Sequence, residues 1–132
     1  MKHLFIPYEL AVIVKGKGFN EPCFLYFGDK TLNSILNKYR YSTDIFDEDE
    51  LKEEGLIVLA PTHQQVIDWL RLKYNIVITI NPNWMNHKEI DGWEVSVDSI
   101  ELIKENPSLY ICIHNDYYEG INDAIDKVLK LI

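Results

Sequence analysis

Cysteine is scarce in this chain, and long apolar runs are missing. The two cysteines, Cys23 and Cys112, are too few for the disulfide framework of a small secreted protein. No stretch approaches the roughly 20 apolar residues that a membrane span needs, and the apolar run after Met1 is too short for a signal peptide. These absences predict a cytoplasmic protein that makes no membrane contact.

The motifs of common enzyme families are also missing. The sequence has no Gly-rich phosphate loop, nucleophile elbow or Walker-type lysine. His87, Glu89 and Asp91 could ligate a metal, but zinc sites usually combine several His or Cys ligands. Cys112 and His114 would share a strand face, where the thiol is either a nucleophile or a buried apolar group. We therefore predict no catalytic residue, metal or cofactor, and keep a small enzyme of unknown reaction as an alternative.

Basic residues are outnumbered by acidic ones, and the formal net charge is −8. Residues 44–54 hold seven acidic residues and one lysine. Such a cluster is usually a solvated loop or helix face, and a docking role stays open. Hydrophobic residues make up 47% of the chain, so its 132 residues can build a core. The length predicts one globular domain over residues 1–132.

A helix followed directly by a strand is the clearest local pattern. Thr62 and Gln65 have the spacing of a capping box, which predicts a helix over residues 62–74. Its apolar residues recur at helical spacing, and a β-branched run, Ile76–Ile80, follows as a strand. His63 is predicted to lie on the surface. The apolar stripe comprises Val66, Ile67, Leu70 and Tyr74.

Other segments complete an α+β prediction. Residues 7–18 could form a strand or a helix, and Gly18 just beyond the last lysine favours the helix. Residues 31–43 have helical spacing with weak helix formers, and Asp47–Glu50 suggests a short helix. Residues 81–92 are predicted as a loop, and Asn115 or Asp116 is predicted to cap a last helix. The expected fold is an antiparallel sheet of three to four strands packed on one face by helices, with the last three strands as a meander. The predicted strands are Cys23–Phe27, Ile76–Ile80, Trp93–Val97 and Leu109–His114.

Three segments carry a family resemblance. They are Ala60-Pro61-Thr62-x-Gln64-Gln65-Val66-Ile67-Asp68-Trp69-Leu70-Arg71-x-Lys73, Gly18-Phe19-x-Glu21-Pro22-Cys23, and Tyr117-Tyr118-Glu119 with Ala124-Ile125. Together they resemble small uncharacterised proteins of phages, prophages and mobile elements in Bacteroides-type gut bacteria. Those proteins often carry a His where this chain has Tyr74. The resemblance implies a phage-related bacterial protein and implies no activity.

These observations favour a non-catalytic accessory or interaction protein with a protein partner or self-association. The alternative is a nucleic-acid-binding module that uses helix 62–74 and the following hairpin. Gln and Arg side chains read bases, but the helix supplies few cations and an acidic segment lies nearby in sequence. Nucleic acid is therefore left open and not favoured. The candidate interaction surface consists of Trp84, Gln64, Gln65, Arg71 and Lys73.

Trp84 has two predicted placements. As a loop residue it could be an exposed anchor for a partner. Alternatively, it could fold back over the sheet edge and complete the core, which the usual burial of large aromatics favours.

Overall fold

A computed structural model of the protein describes residues 2–28, 31–34, 58–85, 89–99 and 111–132. The fold is α+β, as predicted. The chain divides into two compact units, Met1–Val66 and Ile67–Ile132, so the boundary falls inside a helix. One domain over residues 1–132 stays a prediction, because two compact units can still fold and unfold together as one domain. The acidic segment 44–54 and the short helix predicted at Asp47–Glu50 lie outside the described residues.

The first unit contains a three-stranded antiparallel sheet and one α-helix. Its strand order is β2-β1-β3, and helix α1 contacts β3. The predicted strand Cys23–Phe27 is thus shifted toward Gly28 and belongs to a sheet separate from the meander. The elements are a 3-10 turn Lys2–Leu4, α1 Tyr8–Gly16, β1 Leu25–Gly28, β2 Thr31–Ser34 and β3 Val58–Ala60.

Helix α1 ends where the sequence predicted. Gly18 takes a φ of 89°, and its N–H donates to the Lys15 carbonyl at 2.9 Å. The Phe19 N–H donates to the Val14 carbonyl at 3.2 Å. This pair of bonds is a Schellman motif, and a glycine adopts its left-handed residue without strain. Val14 and Phe19 are both buried, so the motif also closes this end of the core.

Strand β2 replaces the start of the helix that the spacing over residues 31–43 indicated. Gly28 pairs with Thr31, so only Asp29 and Lys30 separate β1 from β2. A two-residue hairpin is a local and favourable pairing. It prevails here because Asn33 and Ser34 are weak helix formers. Residues 35–43 lie outside the described part of the chain.

Helix α2, His63–Tyr74, begins with the predicted capping box. The Gln65 N–H donates to Thr62 Oγ1 at 3.2 Å, and the Thr62 N–H donates to Gln65 Oε1 at 3.0 Å. The helix ends at Asn75, whose φ of 56° and N–H bond to the Arg71 carbonyl form a left-handed cap. The predicted surface position of His63 is wrong, because the ring is buried and its Nδ1 lies 2.9 Å from the Leu4 carbonyl oxygen.

The second unit contains the predicted meander. Strand order is β4-β5-β6, and every pairing is antiparallel. Helix α3 packs on one face of this sheet. Asp116 caps α3, accepting from the N–H groups of Tyr118 and Glu119 at 2.9 Å each. The elements are β4 Val77–Met85, β5 Glu89–Asp98, β6 Ile111–His114 and α3 Tyr117–Leu131.

Alternation along the strands builds the core of this unit. Ile78 pairs with Val97, and both are buried. Val95 is buried on the same face and lies close to Gly120 of α3. The helix turns its apolar stripe inward, so sheet and helix share one core. Its buried residues are Gly120, Ile121, Ala124, Ile125, Val128 and Leu129.

The predicted loop over residues 81–92 is wrong. Strands β4 and β5 continue through most of it, and Trp84 pairs with Ile90 and Met85 with Glu89. Pro82 is compatible with β4 because β4 is an edge strand of the described sheet. The register shifts between Pro82 and Trp84. Gly92, with a φ of 134°, lies in β5 opposite this shift and allows the bulge.

Candidate interaction surface

The Trp84 side chain is exposed near the end of the β4–β5 hairpin. It is 54% exposed, and its cross-strand partner Ile90 is 45% exposed. The prediction that Trp84 completes the core is therefore wrong. Sequence reasoning missed Ile90, because its pairing depends on the bulge at Gly92, and Asp91-Gly92 has the pattern of an ordinary turn.

Helix α3 leaves this pair uncovered for a geometric reason. The first ring of the helix, Tyr117, contacts Trp93 edge to face with a centroid separation of 5.0 Å. Further along the helix, Gly120 lies against Val95. The helix therefore starts at Trp93 and runs away from the hairpin end. Trp84 pairs with Ile90, three residues beyond Trp93 toward the hairpin end, so the pair lies past the start of the helix.

Further aromatic rings lie where helix α3 begins, next along the hairpin from this exposed pair. Tyr117 contacts Tyr118 edge to face, again with centroids 5.0 Å apart. Trp93, Tyr117 and Tyr118 are each partly exposed. We call the set formed by Trp84, Ile90, Trp93, Tyr117 and Tyr118 the hairpin-end surface. Such rings offer large contact areas at low entropic cost, as binding surfaces require.

Acidic residues are common in the segments that form the hairpin-end surface. Over the described residues 82–85, 89–94 and 114–120 there is no lysine or arginine. Lys88 lies outside the described residues. The local potential of this part of the chain is therefore negative. The exposed acids of these segments include Glu89, Asp91, Asp116 and Glu119, whereas Glu94 alternates to the sheet face opposite Trp93.

Helix α2 carries the other predicted interaction residues, and contacts within the protein engage most of them. Gln65 completes the capping box, and its Nε2 donates to the Pro22 carbonyl at 2.8 Å. Arg71 forms an ion pair of 2.8 Å with Asp68. Gln64 is exposed.

Lys73 lies over two rings of its own helix. Its Nζ is 5.4 Å from the centroid of the Trp69 ring and 5.3 Å from that of Tyr74. These distances are typical of cation–π contacts. Together with the contacts of Gln65 and Arg71, this arrangement disfavours base reading by helix α2. The element before α2 is strand β3, whereas a helix-turn-helix needs a helix there.

Cys112 and His114 do share a strand face, as predicted. Cys112 pairs with Val95 and His114 with Trp93, so both face helix α3. His114 Nε2 lies 3.5 Å from Asp123 Oδ2, and Lys127 Nζ lies 3.3 Å from the same oxygen. The Cys112 thiol is 3.8 Å from the Ile113 carbonyl. The contact between His114 and Asp123 ties the helix to β6.

The positions of the other candidate metal ligands, and the burial of the Cys23 thiol, disfavour a metal site and a nucleophile. Glu89 and Asp91 are exposed on the hairpin, and His87 lies outside the described residues. Within the described ranges, no group of three or more His, Cys, Asp or Glu side chains could hold a metal ion. Burial, with the nearby Glu21 charge, raises the pKa of Cys23 to about 12. That thiol stays protonated at neutral pH and is a poor nucleophile.

The first unit contains a cavity of about 10 Å³. This volume suits about one water molecule and is too small for a substrate. It therefore offers no site for catalysis. Its lining residues are Ala11, Lys15, Phe19, Leu59 and Pro61.

Comparisons with protein-family models, curated proteins and solved structures give no match. In the part of the chain that the structure describes, no helix combines the length and apolar character needed to cross a membrane.

Proposed function

We propose that this protein is a non-catalytic binding protein that docks a protein partner on its hairpin-end surface. The observation that carries the proposal is the paired exposure of Trp84 and Ile90, at 54% and 45%. A large aromatic side chain is usually mostly buried, and paired exposed apolar groups mark interaction sites. Burial of Trp84 by a partner would supply the kind of aromatic anchor that dominates interface energetics.

The position of the pair on regular strands adds support. Both residues belong to a paired antiparallel ladder, so their backbones are held before a partner arrives. A preformed surface loses less conformational entropy on binding than a loop does.

The origin and the compartment are parts of the same proposal. The resemblance of residues 60–73 supports a phage or mobile-element origin, which the neighbouring genes of the host genome would check. The free thiols of Cys23 and Cys112 support action in a reducing cytoplasm.

Affinity capture from host extract tests the proposal, with Trp84→Ala compared against Leu72→Ala. Leu72 is 81% exposed on helix α2 and serves as a matched apolar control. We expect Trp84→Ala to lose the captured protein, or the self-association seen by light scattering, and Leu72→Ala to retain it. If Leu72→Ala lost the captured protein and Trp84→Ala retained it, the docking site would lie on helix α2 and the proposal would be refuted.

A further inference from the structure

The hairpin-end surface combines exposed rings with negative charge, and this combination restricts its partner. Glu89 and Asp91 flank Ile90 in sequence, and both are exposed. Asp116 and Glu119 lie at the start of α3, beside the Tyr117 and Tyr118 rings. An approaching segment meets apolar ring faces within a field that attracts cations.

Arginine and lysine side chains match both features. Their cationic groups are attracted to the faces of Trp and Tyr rings, and their aliphatic stems cover apolar surface. The protein itself makes this contact elsewhere, where Lys73 lies 5.4 Å from the Trp69 ring centroid. Trp84 offers the same kind of ring, exposed and on the same hairpin as the acidic residues Glu89 and Asp91.

Single-stranded nucleic acid also stacks on exposed aromatic rings. It needs a positively charged groove for its phosphates, however, and the described part of the hairpin-end surface has acids instead. The charge therefore favours a basic protein segment over a nucleic acid.

We infer that the partner presents an arginine- or lysine-bearing segment to the hairpin-end surface, with a cationic side chain stacked on Trp84 within the negative potential to which Glu89 and Asp91 contribute. The inference rests on the proposed function and specifies its partner class.

A fluorescence-anisotropy titration tests the inference with three labelled probes. They are a peptide of alternating arginine and glycine, the same peptide with neutral citrulline in place of arginine, and an oligothymidine strand. We expect the parent protein to bind the arginine peptide at least about tenfold more tightly than the other two probes. Equal binding of the citrulline peptide, or tighter binding of the oligothymidine, would overturn the inference.

Variants separate stacking at this surface from general attraction to an acidic protein. We expect Trp84→Ala to weaken the arginine peptide about tenfold and Trp84→Phe to weaken it less. The double variant E89Q/D91N should bind more weakly and depend less on salt, whereas E9Q, an exposed acid on helix α1, should bind like the parent. Circular dichroism checks that each variant is folded. Equal losses in E9Q and E89Q/D91N, or no loss in Trp84→Ala, would show charge attraction alone and refute the inference.

The two proposals can fail separately. If capture of the host partner depends on Trp84 while the arginine peptide does not bind, the docking surface stands and its assignment to a basic segment falls. If neither capture nor peptide binding depends on Trp84, both fall.

Discussion

Cys23 is fully buried, and its thiol donates to the Glu21 carbonyl at 3.3 Å. Burial and the Glu21 charge both disfavour the thiolate, so the pKa rises from 9.0 to about 12 in the folded protein. Between these values the folded state retains a proton that the unfolded state has released. Folding stability from this residue is therefore constant below about pH 9 and falls as the pH rises toward 12.

This pKa difference predicts that Cys23→Ala changes how the free energy of unfolding depends on pH above pH 9. Between pH 9 and 11 the parent should lose up to about 1.4 kcal/mol of unfolding free energy per pH unit through this thiol. The variant should lack that component of the slope. Urea unfolding of both proteins across this range measures it, and Cys112→Ala is the matched control because its thiol is only partly buried. Parallel slopes for the parent and Cys23→Ala would contradict the account.

Gly120 is a residue at which helix α3 and the sheet approach closely. A Cβ there would lie 2.8 Å from Val95 Cγ2, and Val95 is fully buried and branched at Cβ. Alanine normally favours a helix over glycine by about 1 kcal/mol. Here overpacking should dominate, and Gly120→Ala should destabilise the protein by about 1–3 kcal/mol.

Chemical denaturation measures this effect, with Gly16→Ala as the control. A Cβ at Gly16, the last residue of helix α1, would meet nothing within 4 Å. A gain in stability for Gly120→Ala would show that α3 can move away from the sheet at no cost.

At the scale of elements, the capping box of helix α2 is the clearest case in which a sequence pattern predicts the observed hydrogen bonds. Thr62 Oγ1 accepts the Gln65 N–H, so Thr62→Ala should lower the unfolding free energy by about 1 kcal/mol. Thr62→Ser keeps the hydroxyl group and should stay close to the parent. Equal losses in both variants would assign the effect to the methyl group instead of the hydrogen bond.

Local signals explain which elements the sequence could predict. The caps at Thr62 and Asp116 and the glycine at position 18 act within one helical turn, so a single segment contains the whole signal. The meander also followed from three adjacent strand patterns. Strand β2 did not, because its formation depends on pairing with β1 and not on the spacing of its own apolar residues.

The candidate site was harder to predict than the fold. Trp84 was visible as a candidate, but its exposure depends on where helix α3 starts relative to Trp93. Ile90 depends on the bulge at Gly92, which resembles a turn in sequence. Gln65 bonds to Pro22, 43 residues away in sequence, so no local pattern contains this contact. The Asp68–Arg71 ion pair, in contrast, has the i, i+3 spacing of neighbours on a helix.

At the scale of the whole molecule, stability and binding are assigned to different residues. The buried core includes Leu70, which is fully enclosed, so Leu70→Ala should cost about 2–5 kcal/mol of unfolding free energy. Trp84 is more than half exposed and should contribute little to folding. The central claim is that this tryptophan serves a partner and not the core.

The free energy of unfolding of Trp84→Ala in urea tests that claim most directly, with Leu70→Ala as the reference for a core residue. We expect a value within about 0.5 kcal/mol of the parent, as for an ordinary surface position. A loss of about 3 kcal/mol or more, comparable to Leu70→Ala, would place Trp84 in the core and contradict the account.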